Sequence, residues 1–286
     1  MNTRLMEGSA ASSDCSAWPL DDIEAHVLYV QRDELAVGEW NHVRLTNGHW
    51  RLYHNDSDGA TLIVDGVDIA LRSGVVYLIP PGLTMSCRNR SAFAQVFIHF
   101  DMISTLPLVL IELFPSVMEI PAIEGFPQAM VELGRRVTKS GFPDLAVECM
   151  AKAMVYQALA QCLNALSSDC LQRCWLRTAA LRPIAPALLR LHDKLAMPTN
   201  NSELAGLCHM SEDHFIRRFR EAVGISPAQY IIKRRIALAA QRLLFTGESI
   251  DEVAQSTGFS DRFYFSRVFA RETGIPPAKY RNCPRT

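Results

Sequence analysis

An α+β chain, with strands in its N-terminal half and helices in its C-terminal half, is predicted by three observations. Short alternating apolar runs fill residues 26 to 100, an apolar stretch without Gly or Pro follows at 144 to 166, and the C-terminal third repeats one two-helix pattern. The 286 residues, 49% of them hydrophobic, are enough for two domains, each with its own core. A formal net charge of −1 conceals two opposed parts. Residues 1–180 carry 13 Lys and Arg against 20 Asp and Glu, a balance of −7, and residues 181–286 carry 16 against 10, a balance of +6. The composition excludes a uniformly basic chain and marks the C-terminal part as the one suited to a polyanionic partner.

The eight cysteines contain no Cys-x-x-Cys pair and follow no cleavable leader, which fits a reduced, cytoplasmic protein. Cys170 and Cys174 share a helical spacing but lack the further ligands of a zinc shell. The longest apolar run, "LPLVLIELF" at 106 to 114, is far shorter than the roughly 20 residues of a membrane span. No membrane partner is expected.

Taken in order, residues 1–17 are small and polar and read as a flexible tail, with order beginning near Trp18. A strand domain over 18–120 follows, marked by "HVLYV", "HVRLT", "WRLYHN" and "AFAQVFIHF". Asp65-Gly66 between two alternating runs signals a hairpin, and regular turn spacing suggests a sandwich or small barrel. Linker or dimerisation helices occupy 121–180. The longest, at 144 to 166, has Asp144 as a candidate N-cap, with Val155, Leu159, Cys162 and Leu166 on one side and Val147, Met150 and Met154 on another. Such wide apolar coverage suits a helix wedged between domains or a self-association surface.

Residues 181–286 hold the repeat. Ala205 aligns with Ala254 and Ser211 with Ser260; after one inserted residue Phe215 aligns with Phe265, Arg217 with Arg267, Phe219 with Phe269 and Gly224 with Gly274. Each copy is a short helix, a turn and a second helix, the grammar of a helix-turn-helix, with Ser211 and Ser260 as expected N-caps. The Phe pairs are four residues apart and bury one stripe of each second helix. The opposite stripe remains for a groove: Asp213, Ile216, Arg217 and Arg220 in the first copy, Arg262, Phe263, Ser266 and Arg267 in the second. Arg reads guanine in the major groove through two parallel hydrogen bonds. Between the copies "PAQYIIKRRIALAAQRLLF" predicts a stiff helix of roughly 28 Å, near the one-turn spacing of adjacent major grooves. Its Lys233, Arg234, Arg235 and Arg242 either meet phosphates or solvate the helix.

Residues 184–281 resemble the DNA-binding domain of the AraC/XylS family of bacterial transcription regulators. The run "SIDEVAQSTGFSDRFYFSRVFARETGIPPAKYR" carries the resemblance. By that resemblance, base contacts fall on Asp213, Ile216 and Arg217 and on Phe263, Ser266 and Arg267, with Arg262 beside them. His209 stands where the family usually has Gly, at a turn position that needs a left-handed backbone. Glu212 and Asp213 put negative charge at the first reading tip, where Asp213 would accept from a cytosine amino group.

The strand domain resembles, more diffusely, the cupin-like sensor domains of the same family. Gly74, Pro80, Gly82, Met85 and Asn89 follow the second cupin motif, with Met85 where that motif has a metal-binding His, and Thr61 and Ile63 near the place of the missing His-x-His. Neither a thioether nor an aliphatic group replaces imidazole around such a metal, so no metal or other cofactor is expected. Trp40, Trp50, Arg51, Tyr53, His54 and His99 are the candidate effector-binding groups, since small-ligand sites combine aromatic walls with a few placed polar groups.

The expected fold is thus a cupin-like barrel or sandwich with linker helices, followed by an all-α domain of two helix-turn-helix motifs joined by a long helix. The expected function is a non-enzymatic, sequence-specific transcription activator that binds two adjacent major grooves. A small effector, a carbohydrate by the resemblance, would control it. RNA polymerase and a second copy of the chain are the further partners implied. Two rivals stand beside it: a regulator whose N-terminal domain only dimerises or binds a protein, and a cupin enzyme fused to a DNA-binding tail.

Overall fold

The structure is a computed structural model and describes residues 24–46, 48–103, 106–121, 123–139 and 144–282. The tail over 1–17 and the beginning of order near Trp18 lie outside the described residues. Among the described residues nine strands come first: β1 (Glu24–Leu35), β2 (His42–Thr46), β3 (Trp50–Asn55), β4 (Ala60–Val64), β5 (Val67–Leu71), β6 (Val76–Ile79), β7 (Thr84–Asn89), β8 (Phe93–Ile103) and, after helix α1 (Leu106–Leu113), β9 (Met118–Glu119). They form two sheets, ordered β1-β8-β3-β6-β9 and β2-β7-β4-β5. The pairs are antiparallel throughout, and the β4–β5 hairpin turns at Asp65-Gly66 with φ of 51° and 80°, as the Asp-Gly signal requires.

Alternation along β3 decides what each face does. Arg51 and Tyr53 enter the space between the sheets, with Trp40, Leu62, Tyr77, Met85, Cys87 and Phe97. Trp50, Leu52 and, by the same parity, His54 lie on the opposite face. There Trp50 stacks on Phe100, ring centroids 6.2 Å apart, under α2 (Phe126–Lys139) and α3 (Leu145–Asn164). Trp50 and His54 therefore leave the group expected to meet an effector, because strand pleating separates odd from even positions.

Asp144 caps α3 by accepting from the Ala146 amide at 2.8 Å. Met154, Val155, Ala158, Leu159 and Cys162 of α3 bury against the outer face of the five-stranded sheet, so this helix belongs to the barrel layer and is not wedged between domains. The next helix, α4 (Ser168–Leu181), goes the other way: its Cys174 and Val109 of α1 join the core of the first helix-turn-helix. The division expected at residue 180 is thus a packed seam.

Beyond it run α5 (Ala185–Asp193), α6 (Asn201–Leu207), α7 (Glu212–Val223), α8 (Pro227–Phe245), α9 (Ile250–Ser256), α10 (Arg262–Thr273) and α11 (Pro277–Arg281). Phe215 and Phe219 anchor one core and Phe265 and Phe269 a second, so each repeat buries its own apolar stripe. The 19-residue α8 joins them, opened by a capping box in which Ser226 accepts from the Gln229 amide and Gln229 accepts from that of Ser226.

Candidate nucleic-acid interface and barrel cluster

The two reading units are built alike. In the first, α6 ends in a turn at His209 and α7 follows; in the second, α9 turns at Gly258 into α10. The Met210 amide donates to the Ala205 carbonyl at 3.0 Å, and the Phe259 amide to the Ala254 carbonyl at 2.9 Å, so the same bond closes both turns. His209 has φ 54° and Gly258 φ 88°: both units need a left-handed residue, and the first obtains it from a side-chain-bearing one.

One cap differs from the sequence expectation. Ser211 is the N-cap of α7, but the equivalent residue of α10 is Asp261, which accepts from the Phe263 and Tyr264 amides at 3.0 and 2.8 Å. Ser260 is the inserted residue itself and sits in the turn. Acidic Asp261 there also complements the helix dipole.

From Ser211 and Asp261 onward the two helices run in register. Asp213 matches Phe263, Ile216 matches Ser266 and Arg217 matches Arg267. Asp213, Arg217 and Arg220 are exposed on α7, and Arg262, Phe263 and Arg267 on α10. Phe263 keeps 77% of its surface exposed at the tip of α10. Ile216 and Ser266 are half-buried at the edge of the stripe, Ile216 against the first core. Arg262 pairs with Asp251 at 2.8 Å, both half-exposed, an ion pair weak enough to exchange with another anion.

The cations of α8 divide. Lys233 is exposed. Arg235 donates to the carbonyls of Leu195, Met197 and Gly258 at 2.9, 3.0 and 2.7 Å and so ties the second turn to the chain after α5. Arg242 pairs with Glu248 at 2.7 Å. Arg234, expected at a phosphate, instead pairs with Asp101 of the barrel at 2.9 Å. Helical spacing turns it from Lys233 toward the other domain, which a reading of the C-terminal part by itself cannot see.

Inside the barrel, Arg51, Tyr53 and His99 of the candidate set lie together, with Trp40 beside Tyr53. Arg51 and His99 are cross-strand partners, and the Tyr53 ring lies 6.2 Å from His99 and 6.3 Å from Trp40. Arg51 Nη1 donates to Met85 Sδ at 3.8 Å, so the thioether that replaces the expected metal-binding His is an arginine partner. Thr61 and Ile63 sit on the outer side of β4. Asn89 is structural: it accepts from the Gly38 and Trp40 amides, each at 3.1 Å, and pins the loop that carries Trp40. His49, absent from the expected set, packs its ring against His99, centroids 4.6 Å apart and tilted by 38°. Its odd position, in step with Arg51 and Tyr53, is the signal that finds it.

Burial governs the chemistry of this cluster. It pushes the Tyr53 hydroxyl upward and the Cys87 thiol to about 12, and holds His49 and His99 well below the usual imidazole range, with Arg51 and, for His99, His49 adding to the effect. Gln95 donates to Asn55 at 3.0 Å, leaving its own carbonyl oxygen and the Asn55 amide nitrogen, together with the Tyr53 hydroxyl and the Trp40 indole N–H, without a protein partner among the described residues. Such buried polar atoms call for a partner of another kind.

Two helix-turn-helix units, set in register on one stiff connector with matched exposed arginines, define a double helix-turn-helix domain of the DNA-binding kind. A model of the helix-turn-helix domain family matches residues 204–282. The chain is 34% identical over 91 residues to the MmsAB operon regulatory protein of Pseudomonas aeruginosa, covering 32% of this chain and 28% of that protein. It is 28% identical over 181 residues to an AraC-like transcription regulator of Streptomyces antibioticus, covering 62% and 59%. The chain spans about a third or less of the length of the first such relatives. Over this domain the chain is similar to AraC-like transcription regulators. Over both domains its fold is that of ToxT from Vibrio cholerae strain SCE256, solved with an unsaturated fatty acid bound: TM-score 0.52, 12% identity, covering 88% of this chain and 94% of that one. Among the described residues no helix is long and apolar enough to cross a membrane, and no group of three or more His, Cys, Asp or Glu is placed to hold a metal ion.

Proposed function

We propose that the chain is a cytoplasmic transcription regulator that reads duplex DNA through both helix-turn-helix units and is controlled by a small polar effector held around Arg51, Tyr53 and His99. The observation that carries the DNA reading is the register of α7 and α10, which presents Arg217 and Arg267 at the same outward position of two separately packed units. Arg267 would pair with a guanine and Phe263 would lie against a thymine methyl, whereas Asp213 would accept from a cytosine amino group. Lys233 would meet phosphate. Activation through RNA polymerase and pairing of two chains belong to the same reading, as does the absence of enzymatic turnover.

The effector reading is supported by the unpaired Tyr53 and Trp40 groups near His99 and by those of Gln95 and Asn55 farther along the same ladder, a set that suits a hydroxyl-rich molecule such as a carbohydrate. The fatty-acid-bound ToxT supports the capacity of this two-domain fold to take a small molecule. DNA selected from a random pool by the full chain tests the central part. Enrichment of one motif is expected, with Arg267→Ala losing preference at one base position by about 1–3 kcal/mol and Lys233→Ala weakening all sequences alike. No enrichment, or an Arg267→Ala protein that selects the same motif, would overturn it.

A further inference from the structure

The connector helix is not only a spacer, because one of its faces lies on the barrel. The turn between β2 and β3 approaches so closely that a β-carbon built on Gly48 would sit 2.3 Å from that of Ala237 on α8. One helical turn earlier, Arg234 reaches Asp101 on β8, and both side chains keep only about a quarter of their surface exposed. His26, the cross-strand partner of Asp101, sets its ring 6.1 Å from that of His192 on α5. Gly48, His49, Asp101, His192, Arg234 and Ala237 line a cavity of about 110 Å³ at this seam.

The seam adjoins the barrel cluster through two short covalent routes. Asp101 is two residues from His99 on β8, with its side chain on the same face, and Gly48 precedes His49, whose ring packs against His99. A shift of the His49–His99 pair would therefore reach both halves of the contact with α8. On the other side, α8 carries a reading unit at each end. The contact joins one element of the barrel interior to the one element that sets the spacing of the two heads.

We propose that the Asp101–Arg234 ion pair, seated beside the Gly48–Ala237 contact, is an autoinhibitory latch through which the barrel restrains the connector helix and the heads it carries. Closed, it holds a phosphate-seeking guanidinium against a carboxylate and fixes α8 to a second domain. Open, it frees Arg234 for DNA and lets the heads settle into their grooves. The effect on DNA rests on the regulator reading above, but the latch itself does not.

The test uses the full chain with Asp101→Asn, Arg234→Gln, Gly48→Val and the reversed pair Asp101→Arg with Arg234→Asp. Amide hydrogen exchange over α8 and the β2–β3 turn reads the contact directly. Affinity for selected DNA reads its consequence. Asp101→Asn and Gly48→Val are expected to speed exchange on both sides of the seam and to tighten DNA binding by about fivefold or more. Arg234→Gln opens the seam without supplying the freed cation and tightens binding less, and the reversed pair returns exchange to that of the parent chain. Unchanged exchange in Asp101→Asn and Gly48→Val would overturn the latch, as would Arg234→Gln weakening DNA while the other two leave it unchanged, the behaviour of an ordinary phosphate contact. If the parent chain selects no DNA, the regulator reading fails, and hydrogen exchange still decides the latch.

Discussion

At position 209 an imidazole-bearing residue occupies a left-handed conformation, and at position 258 glycine does the same work in the second unit. A left-handed residue other than glycine carries a steric cost of about 1–2 kcal/mol, so His209→Gly is expected to stabilise the C-terminal domain by up to about 1 kcal/mol. Gly258 has no such latitude. An added β-carbon there would stand 2.6 Å from the Ala196 carbonyl oxygen and 2.8 Å from the Arg235 guanidinium carbon, in a conformation already strained for any side chain. Gly258→Ala is expected to cost more than about 2 kcal/mol. Thermal unfolding of the two variants checks both signs; a stable Gly258→Ala protein would contradict the turn geometry. The two turns are one device made with different tolerances, and the sequence shows the difference because only one of them has glycine.

At the level of elements, local pattern carried far in the sequence. The exact bounds of β3, the Asp65-Gly66 hairpin, the long helix after Asp144 and the connector at 227–245 follow from period and punctuation, which are properties of neighbouring residues. The repeat likewise revealed both reading helices, and it misplaced only one cap, since a one-residue insertion can be absorbed on either side of Ser260. What stayed hidden depends on the packing of distant segments. Trp50 and His54 read as pocket groups because their polar-aromatic character is visible and the side of the sheet that faces the second layer is not. Arg234 read as a phosphate contact because Asp101, its partner, lies 133 residues away. His49 was within reach of simple alternation but is isolated among histidines that a sequence treats alike.

At the scale of the whole molecule, the buried and half-buried histidines link stability to pH. His42, His49, His54, His99 and His192 are all held below the ordinary imidazole value of 6.5, in each case first by burial. The unfolded chain binds protons near pH 6.5 that the folded chain refuses, so stability is full above that value and falls as the pH drops toward the lower folded values. For the nearly solvent-free His49 and His99 the loss is about 1.4 kcal/mol each per pH unit below ~6.5. Calorimetry at about pH 7.5 and about pH 5.5 is expected to show a melting temperature lower by several degrees in acid. An equal or higher value would show that these rings are accessible to protons in the folded chain.

The same scale holds the central claim, that a single stiff helix presents two reading units to successive major grooves of one duplex. Hydroxyl-radical footprinting of the full chain on its selected DNA tests this most directly, with a companion duplex that carries an extra half-turn between the two protected patches. Two patches on one face of the DNA, about 34 Å apart, are expected, with loss of one of them when the half-turn is inserted, because the roughly 28 Å connector cannot follow the rotated groove. A single patch, or two patches that persist whatever the spacing, would contradict the claim.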